Sequence, residues 1–445
     1  MDGARLLLSV LGALVVAPAS ATADDDAGPR SVGRAGTGLV SDDGLGAVSR
    51  NPAAMARRDL RRAQLAVVVD DDDASAARAG ARTATTSHPP RFRFGLGAQD
   101  AVGPMVVGVA LTSDGDGRAL PAPPAGVPTS TVEADYLDRY AGLTGARRER
   151  TLAVAAATRV TDALAIGVAA TIASVHLEER RRVWAGFSGR DPIGSAARDL
   201  EFALAGDDGL VPGAAFGALV APASIPLELG LAISFRNAVH LDGTARGTAD
   251  PTELRVDDER GAAALTLASP VIVRAGARYL GERALAEVGL ELHRLRPAAA
   301  TPSWTLDRVR AIDRTGAAVD VTEVASRAGR RSHAVLRGAV DVELVPGLAW
   351  ATAGYAYATQ ASPADGLAAT WADLGGHTAA IGLEAAAGDV VVIVGYARTW
   401  SPTITVERSS LGYDDPFGPA PGDVGAASFA GHRDQLGLSV EVAWP

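Results

Sequence analysis

The feature that most constrains this chain is a period of two in its apolar residues, which begins near Leu60 and continues to the C-terminus. In Gln435–Trp444, for example, Leu, Leu, Val, Val and Trp occupy alternate positions, with polar or small residues between them. Successive side chains of a β-strand point to opposite faces, so this pattern predicts a strand with one apolar face. The same alternation recurs in Leu227–Arg236, Leu285–His293 and Ala334–Leu344. We therefore predict an all-β fold.

Long and short connections follow one another in strict alternation between these segments. We predict fourteen strands, near residues 62–69, 92–99, 105–113, 148–160, 163–178, 210–221, 226–246, 262–279, 284–295, 332–344, 348–357, 377–386, 389–406 and 434–444. A barrel that crosses an outer membrane has loops at one end, tight turns at the other, and both termini at the turn end. A soluble sandwich has no reason to sort its connections in this way. The pattern therefore predicts a 14-stranded antiparallel transmembrane β-barrel over residues 62–445.

The composition bears on this prediction in several ways. Lipid cannot hydrogen-bond a free strand edge, so a sheet inside a membrane must close on itself. One face of each strand would meet lipid and the other a polar lumen, which explains a hydrophobic content of only 47%. The absence of cysteine excludes disulfides and Cys-ligated metals, and a net charge of −10 argues against nucleic-acid binding. Two features fit less well, because aromatic residues make up only 5% and residues 389–399 are apolar on both faces.

The N-terminus has the features of a cleavable secretory signal peptide, which we place at Met1–Ala23. Arg5 supplies the positive charge, Leu6–Ala17 is an apolar stretch of suitable length, and small residues at 19–23 offer cleavage sites. The apolar stretch is too short to span a membrane comfortably. We therefore expect export, cleavage and insertion into the outer membrane of a Gram-negative-type bacterium, with the barrel assembly machinery as a partner.

A glycine-rich segment without alternation, residues 24–61, precedes the first strand and is longer than a strand requires. Its motifs Gly33-Arg34-Ala35, Ser41-Asp42-Asp43 and Ser49-Arg50-Asn51-Pro52-Ala53 resemble the N-terminal hatch of the long-chain fatty-acid outer-membrane transporters, the FadL-like family. Weaker similarity to that family continues in Asp162–Val175, in Leu229–Arg236, and in Ala353–Tyr357 followed by Ser362-Pro363.

The resemblance implies a barrel of fourteen strands, a plug formed by the N-terminal segment, and a kinked third strand that opens a lateral gap. It also implies passive uptake of hydrophobic molecules, most of all long-chain fatty acids, by surface binding, hatch movement and lateral exit through the wall. A bend fixed by proline and flanked by glycines suits a segment with two positions. We therefore expect the hatch to move at Gly36, Gly38, Asn51, Pro52 and Ala53. The resemblance favours a monomer.

Four arginines on the predicted lumen face are candidates for binding a ligand carboxylate: Arg236, Arg274, Arg278 and Arg337. Arginine suits this role because its guanidinium forms bidentate hydrogen bonds with carboxylates. The alternative is that these arginines pair with acidic residues of the same face, namely Glu228, Glu287, Glu291, Asp341 and Glu343. The sequence favours the second interpretation for any single arginine.

Other candidate sites are weaker. Asp70–Asp73 fits a solvated loop better than a metal site, and Arg180–Arg182 fits either lipopolysaccharide contact or a solvated charge cluster. The chain has none of the usual nucleophile, zinc or nucleotide motifs, so we expect no catalytic residue, no cofactor and no enzyme activity. Two alternatives to transport stay open. One is a structural or secretion-associated barrel of the same superfamily, and the other is a general porin.

Overall fold

The computed structural model describes residues 28–41, 44–57, 61–78, 83–86, 90–120, 138–185, 198–249, 254–257, 260–296, 302–411 and 424–444. The predicted signal peptide and the motif residues Asp42 and Asp43 lie outside the described residues. Within the described ranges, none of the helices has the length and apolarity needed to cross a membrane.

Strands dominate the structure, and all of them belong to one antiparallel sheet. They are β1 (Arg61–Arg78), β2 (Ala84–Thr85), β3 (Arg91–Val102), β4 (Met105–Ala119), β5 (Thr144–Thr161), β6 (Leu164–Trp184), β7 (Asp199–Val220), β8 (Leu227–Arg236), β9 (Val239–Ala249), β10 (Leu254–Asp257), β11 (Arg260–Leu267), β12 (Val271–Leu280), β13 (Ala284–Arg294), β14 (Ser303–Asp313), β15 (Ala318–Ala325), β16 (His333–Val345), β17 (Ala349–Ala358), β18 (Gly376–Ala387), β19 (Val390–Trp400), β20 (Ile404–Val406) and β21 (Ala427–Trp444).

The described helices are short. Three are α-helical: α1 (Pro29–Gly33), α2 (Leu45–Arg50) and α3 (Asp138–Ala141). Two are 3₁₀-helices: η1 (Pro52–Arg57) and η2 (Ala369–Trp371). The first two α-helices and η1 come from the predicted hatch, so that segment is partly helical and takes no part in the sheet.

The sheet closes into a barrel because its first and last strands pair along their full length, from Arg61 opposite Trp444 to Arg78 opposite Ala427. Fourteen strands form the wall: β1, β3, β4, β5, β6, β7, β8 continued by β9, β11 continued by β12, β13, β16, β17, β18, β19 and β21. The predicted fold class and strand number are therefore confirmed.

The described short turns lie at one end of the barrel, and the strands that border the predicted long connections end at the other. We call these the short-turn end and the long-loop end. The sequence predicts a loop between the strands at 284–295 and 332–344, which is partly wrong because this connection contains the hairpin β14–β15. The predicted loop beginning at Asp70 is also partly wrong, since β1 continues to Arg78 and keeps pairing with β21.

The outer surface of the barrel carries a band of exposed aliphatic and aromatic side chains, which include Leu65, Val168, Leu231, Leu336 and Leu438. A closed band of this kind on an antiparallel barrel is the surface that meets lipid. In β19, which is apolar on both faces, the exposed face carries Val392 and Val394, and Ile393 is buried inside. The orientation of residues 389–399 is thereby assigned.

Near the long-loop end, three neighbouring wall strands reverse which face is apolar. In β7, exposed Phe216 and Leu210 give way to buried Phe202 and Leu204 after an irregularity in the pairing with β6. The strands β8–β9 and β11–β12 change phase at the same level. A shift of one residue moves every side chain to the opposite face. Above this level, the strands therefore have apolar residues inside and polar residues outside.

The apolar faces above this level form a separate core with β14 and β15, in which Trp304 is fully buried. The indole nitrogen of Trp304 donates a hydrogen bond of 2.6 Å to Glu179 of β6. Helix α3 is attached nearby, because Arg139 and Tyr140 both donate hydrogen bonds to Asp199. Burial and the Asp199 carboxylate raise the pKa of the Tyr140 phenol, which therefore stays protonated and keeps donating.

The third strand of the wall, β4, does not have the gap that the resemblance implies. It pairs residue by residue with β3 over Met105–Ser113 and with β5 over Met105–Ala119. No register shift occurs in either ladder, so each position of Met105–Ser113 has a partner on both sides, whereas the rest of β4 pairs with β5 alone. Contrary to the expectation, the third strand therefore has no lateral gap along Met105–Ser113.

Candidate functional site

The N-terminal segment, described over residues 28–41 and 44–57, lies inside the barrel, and we call it the plug segment. Helix α1 contacts β18, β19 and β21, whereas η1 contacts β5, β6 and β7, almost half the circumference away. The plug segment is mostly buried, and Val40, Ala53, Ala54 and Met55 are fully enclosed. A segment that touches inward-facing residues on so many wall strands occupies the cross-section of the lumen.

Three of the predicted hatch residues lie against glycines of the wall. Asn51, Pro52 and Ala53 pass over Gly167 of β6 and Gly217 of β7, which face each other in the ladder. A methyl group added at Gly167 would stand 2.5 Å from the backbone of both Pro52 and Ala53, too close for any side chain. Asn51 also donates a side-chain hydrogen bond of 2.9 Å to the Leu39 carbonyl, which joins the two halves of the plug segment.

The other two predicted hatch residues lie in the turn after α1. Gly38 is buried, and Gly36 adopts a positive φ of 80°. The preceding Ala35 also has a positive φ, of 50°, which is strained for a residue with a β-carbon. The Arg337 guanidinium donates a 3.3 Å hydrogen bond to the Ala35 carbonyl and thereby holds this turn against β16.

Glycines at inward-facing positions form a belt around the wall at the level of the plug segment. A β-carbon at any of them would press on plug-segment atoms: Gly97, Gly108, Gly167, Gly217, Gly230, Gly276, Gly354 and Gly382. Glycine within a strand otherwise weakens it, and it is found where another backbone must approach closely. The belt therefore explains how the plug segment packs directly on the wall. The belt was not predicted, although the sequence has glycines at lumen-facing positions of several strands.

Ion pairs attach the plug segment to the wall around its circumference. Arg30 pairs with Glu384 at 2.9 Å, and Arg57 pairs with Glu228 at 2.8 Å. Arg50 lies 3.4 Å from Glu291. These charges are largely excluded from water, where a pair with additional hydrogen bonds is much costlier to break than a surface pair.

The most enclosed of these contacts centres on Glu287 of β13, whose side chain is fully buried. Its carboxylate accepts hydrogen bonds from the backbone amides of Val40 and Ser41, at 2.9 and 3.2 Å. The guanidinium of Arg34 lies 3.3 Å from the same carboxylate and 2.9 Å from Asp341. Arginines of the plug segment were not among the predicted site residues, because nothing local in the sequence marks their partners.

The structure places all four predicted wall arginines on the inner face, each within ion-pair distance of an acidic side chain. Arg236 pairs with Glu149, Arg278 lies 3.5 Å from Glu228, and Arg274 and Arg337 lie 3.1 and 3.8 Å from Glu291. These contacts follow the alternative interpretation, with Glu149 as a partner that the sequence did not suggest. Their role towards a ligand stays a prediction.

Two cavities, of about 220 and 210 Å³, lie towards the long-loop end, and the first of them contacts Ser49 and Arg50 of the plug segment. They share the lining residues Arg147, Ala328, Arg330 and His333, so they are adjacent. The first also contacts Arg236, Arg274 and apolar residues of β9, β11 and β12, whereas the second contacts Arg337. Arg278 lines neither cavity. Three of the four predicted arginines therefore line a cavity, whereas Arg278 lies beside Glu228, which pairs with the plug segment.

The predicted loop Asp70–Asp73 is instead part of strand β1, and its first residue is fully buried. Asp70 accepts hydrogen bonds from Arg93 at 3.0 Å, from Arg433 at 2.9 Å and from Gln435 at 2.8 Å. The prediction of a solvated loop is wrong, because β1 extends beyond the lipid band and turns Asp70 and Asp72 inward. In the part of the chain that the structure describes, no group of three or more acidic or histidine side chains could hold a metal ion.

The arginines of the predicted charge cluster Arg180–Arg182 have partners in the protein, although Arg180 stays exposed. Arg180 pairs with Glu201 of β7, and Arg182 lies 3.3 Å from Asp199 and 3.2 Å from Glu201. Arg181 points inward and is almost fully buried. The cluster therefore holds β6 to β7 above the lipid band.

The fold and the site together define a class of protein, a closed membrane barrel whose lumen is occupied by its own N-terminal segment. Among solved structures, the chain is similar to a FadL homologue of Pseudomonas aeruginosa, with 14% identity, a TM-score of 0.71, and 96% and 98% of the two chains covered. It is also similar to the toluene transporter TodX of P. putida, with 14% identity, a TM-score of 0.68, and 94% and 98% covered.

A third similar structure is the toluene transporter TbuX of Ralstonia pickettii, with 13% identity, a TM-score of 0.62, and 93% and 97% covered. No protein-family model matches the chain, and no curated protein matches it either. The chain thus has the fold of the FadL-like outer-membrane barrels. At the level of the fold, the resemblance predicted from the sequence is confirmed.

Proposed function

We propose that the protein is an outer-membrane channel for the passive uptake of hydrophobic molecules, either long-chain fatty acids or aromatic hydrocarbons. The observation that carries the proposal is the plug segment, which fills the lumen and is fixed to the wall by Glu228, Glu287, Glu291 and Glu384. A general porin needs an open, water-filled lumen, so this arrangement argues against that alternative. Two of the structures with the same fold are toluene transporters.

In the proposed route, a ligand enters from the long-loop end into the two cavities, and the plug segment moves to let it pass. The strained turn at Ala35 and Gly36 supports such a movement, because strain held by surrounding contacts is released when those contacts change. The ligand then leaves sideways through the wall into lipid. The protein would act as a monomer in the outer membrane of a Gram-negative-type bacterium, after signal-peptide cleavage and assembly by the barrel assembly machinery. Lipid and lipopolysaccharide would surround it there.

Uptake by cells tests this proposal directly. Cells that produce the protein should accumulate radiolabelled oleate or toluene faster than matched cells that lack the gene. The purified protein should give no large, steady conductance in planar bilayers, because the plug segment fills the lumen. Equal uptake by both cell lines would contradict the proposal and favour a structural or secretion-associated barrel. A large steady conductance would favour a porin.

Replacing Arg236 with glutamine should distinguish the two ligand classes. Arg236 lines the larger cavity, and a charge-assisted hydrogen bond to a carboxylate contributes about 1.5–3 kcal/mol. We therefore expect fatty-acid binding to weaken roughly tenfold or more, and toluene uptake to stay unchanged. Binding is measured by fluorescence displacement with the purified barrel.

Arg278→Gln is the matched control for this prediction. Arg278 also faces inward and pairs with a glutamate, but it lines neither cavity. Its replacement should leave fatty-acid binding unchanged. An equal loss in both variants would show that the effect comes from the charge network and not from contact with the ligand.

A further inference from the structure

The seventh and eighth strands of the wall are both interrupted, and the interruptions face each other. The ladder between β8 and β12 ends at Ser234 opposite Ile272, and the ladder between β9 and β11 begins at Val239 opposite Leu267. Residues 235–238 and 268–271, all described, form no ladder pairs with one another. Four residues of extended chain span about 13 Å at roughly 3.3 Å each. This stretch of the wall therefore lacks the backbone bonds that close it elsewhere.

Both strands change phase together at this interruption, so that the inward-facing positions are even on one side of it and odd on the other. The two flanking pairs, Ser234–Ile272 and Val239–Leu267, are five positions apart on both strands. The pairing register is therefore the same on both sides of the interruption. Pro270 lies in the middle and has no N–H to donate. The backbone N–H of Asn237 donates instead to the Pro212 carbonyl of β7, at 3.0 Å.

One side-chain contact bridges the interruption. The hydroxyl of Ser269 donates a hydrogen bond of 2.7 Å to the Asn237 carbonyl. A single neutral hydrogen bond contributes about 0.5–1.5 kcal/mol, whereas a continuous ladder of four residue pairs would hold several such bonds. The wall therefore costs less free energy to open here than along Met105–Ser113 of the third strand, which is paired on both sides.

The larger cavity meets the wall at this interruption. Its lining includes Phe235, Ala268, Ser269 and Pro270 from the interrupted stretches, together with Ile272 beside them. One charged lining residue, Arg236, belongs to the interruption itself, whereas others such as Arg147 and Arg330 come from other elements. An apolar part of a ligand in this cavity would contact Pro270 and Ile272, beside the charged Arg236.

The outer side of the interruption adjoins the lipid band. Phe235, Leu210 and Val271 are 45%, 66% and 41% exposed on the outer surface. Beyond them, the outward residues become polar, beginning with His240 of β9. A hydrophobic molecule that crossed the wall at this level would enter lipid at once.

We propose that the interruption formed by residues 235–238 and 268–271 is a lateral portal between the larger cavity and the membrane, closed by the Ser269–Asn237 hydrogen bond. The inference rests on the proposed function for its ligand, a hydrophobic molecule. It places the lateral route between the seventh and eighth strands, and not at the third strand.

Cross-linking tests the portal, because the chain has no cysteine and an engineered pair would be its only thiols. The variant Asn237→Cys/Ser269→Cys is treated with a short bifunctional methanethiosulfonate, whose two disulfides can be reduced. We expect uptake of labelled oleate or toluene to fall at least tenfold on cross-linking and to recover with reductant. Peptide mass spectrometry verifies the link in each sample.

Two further cysteine pairs serve as controls. Leu231→Cys/Ala275→Cys joins the same two strands where the ladder is already continuous, so its cross-link should leave uptake unchanged. Leu96→Cys/Leu111→Cys joins the second and third strands and should also leave uptake unchanged. Loss of uptake only with the third-strand pair, or no loss with the portal pair, would overturn the portal.

A measurement without transport separates the portal from the proposed function. In liposomes, a maleimide with a long alkyl chain, dissolved in the bilayer, should label a single Ile272→Cys from the lipid side. Gly289→Cys, which faces inward on β13 away from the interruption, should react at least tenfold more slowly. Selective labelling without any uptake would support the portal and contradict the proposed function. Equal labelling rates would overturn the portal even if uptake occurs.

Discussion

Replacing Glu287 with alanine should release the plug segment from the wall. The Glu287 carboxylate accepts the amides of Val40 and Ser41 and pairs with Arg34 in an enclosed site. Its removal leaves two buried N–H groups without this acceptor and a buried guanidinium with less compensation, which costs about 3–5 kcal/mol. We expect the variant to show frequent open-channel events in planar bilayers under conditions in which the unmodified protein stays closed.

The neighbouring strand offers a control for this variant. Glu343 of β16 is also a glutamate of the wall, but its carboxylate accepts a hydrogen bond from Gly347 in the turn and not from the plug segment. Glu343→Ala should therefore keep the closed state. If Glu287→Ala stayed closed and its plug segment stayed resistant to added protease, the contact would not be the main attachment of the plug segment.

Replacing Gly167 with valine should displace the plug segment by a different route. The first carbon of the new side chain would stand 2.5 Å from the backbone of Pro52 and Ala53, and neither backbone can yield without moving the segment. Overpacking of a close contact costs about 1–3 kcal/mol. We expect increased conductance and faster labelling of a reporter cysteine at Ser49, with a barrel that still migrates as a folded species in unheated gels.

Gly289→Val is the matched control, because Gly289 is also an inward-facing glycine of the wall. Its nearest neighbour for an added β-carbon is the Ala275 carbonyl at 3.8 Å, an ordinary contact. This variant should keep the conductance and the labelling rate of the unmodified protein. Equal changes in both variants would mean that any larger side chain in the lumen opens the channel. The glycine belt would then not be a specific packing site for the plug segment.

Much of the barrel could be predicted from the sequence, because two independent constraints act on the same residues. The pleat of a strand and the contrast between lipid and lumen both impose a period of two, so the faces of residues 227–236 and 434–444 follow directly. The sorting of connections then gives the strand number. The extensions towards the long-loop end were predicted less well, because there the apolar face turns inward and short segments pair locally, as in β14 and β15.

The attachment of the plug segment could not be predicted in the same way. Arg57 and Glu228 are 171 positions apart, and Arg30 and Glu384 are 354 apart, so no local pattern links them. Each arginine of the chain is equally able to pair, and only the closed barrel selects the partners. The location of Asn51-Pro52-Ala53 came from the resemblance, whereas the glycines beneath them belong to strands whose order around the lumen had to be known first.

The reversal of faces in β7, β8–β9 and β11–β12 has a consequence for how deeply the barrel can sit in its membrane. A shift of the barrel through the membrane towards its short-turn end would carry outward-facing charges of these strands, such as Arg246 and Asp242, into hydrocarbon. The cost is up to about 2–4 kcal/mol for an arginine near the midplane. A shift in the opposite direction would expose Leu210 and Phe235 to water. The immersion depth is thus set by strand phase, which makes a full girdle of aromatic side chains unnecessary on this side of the barrel.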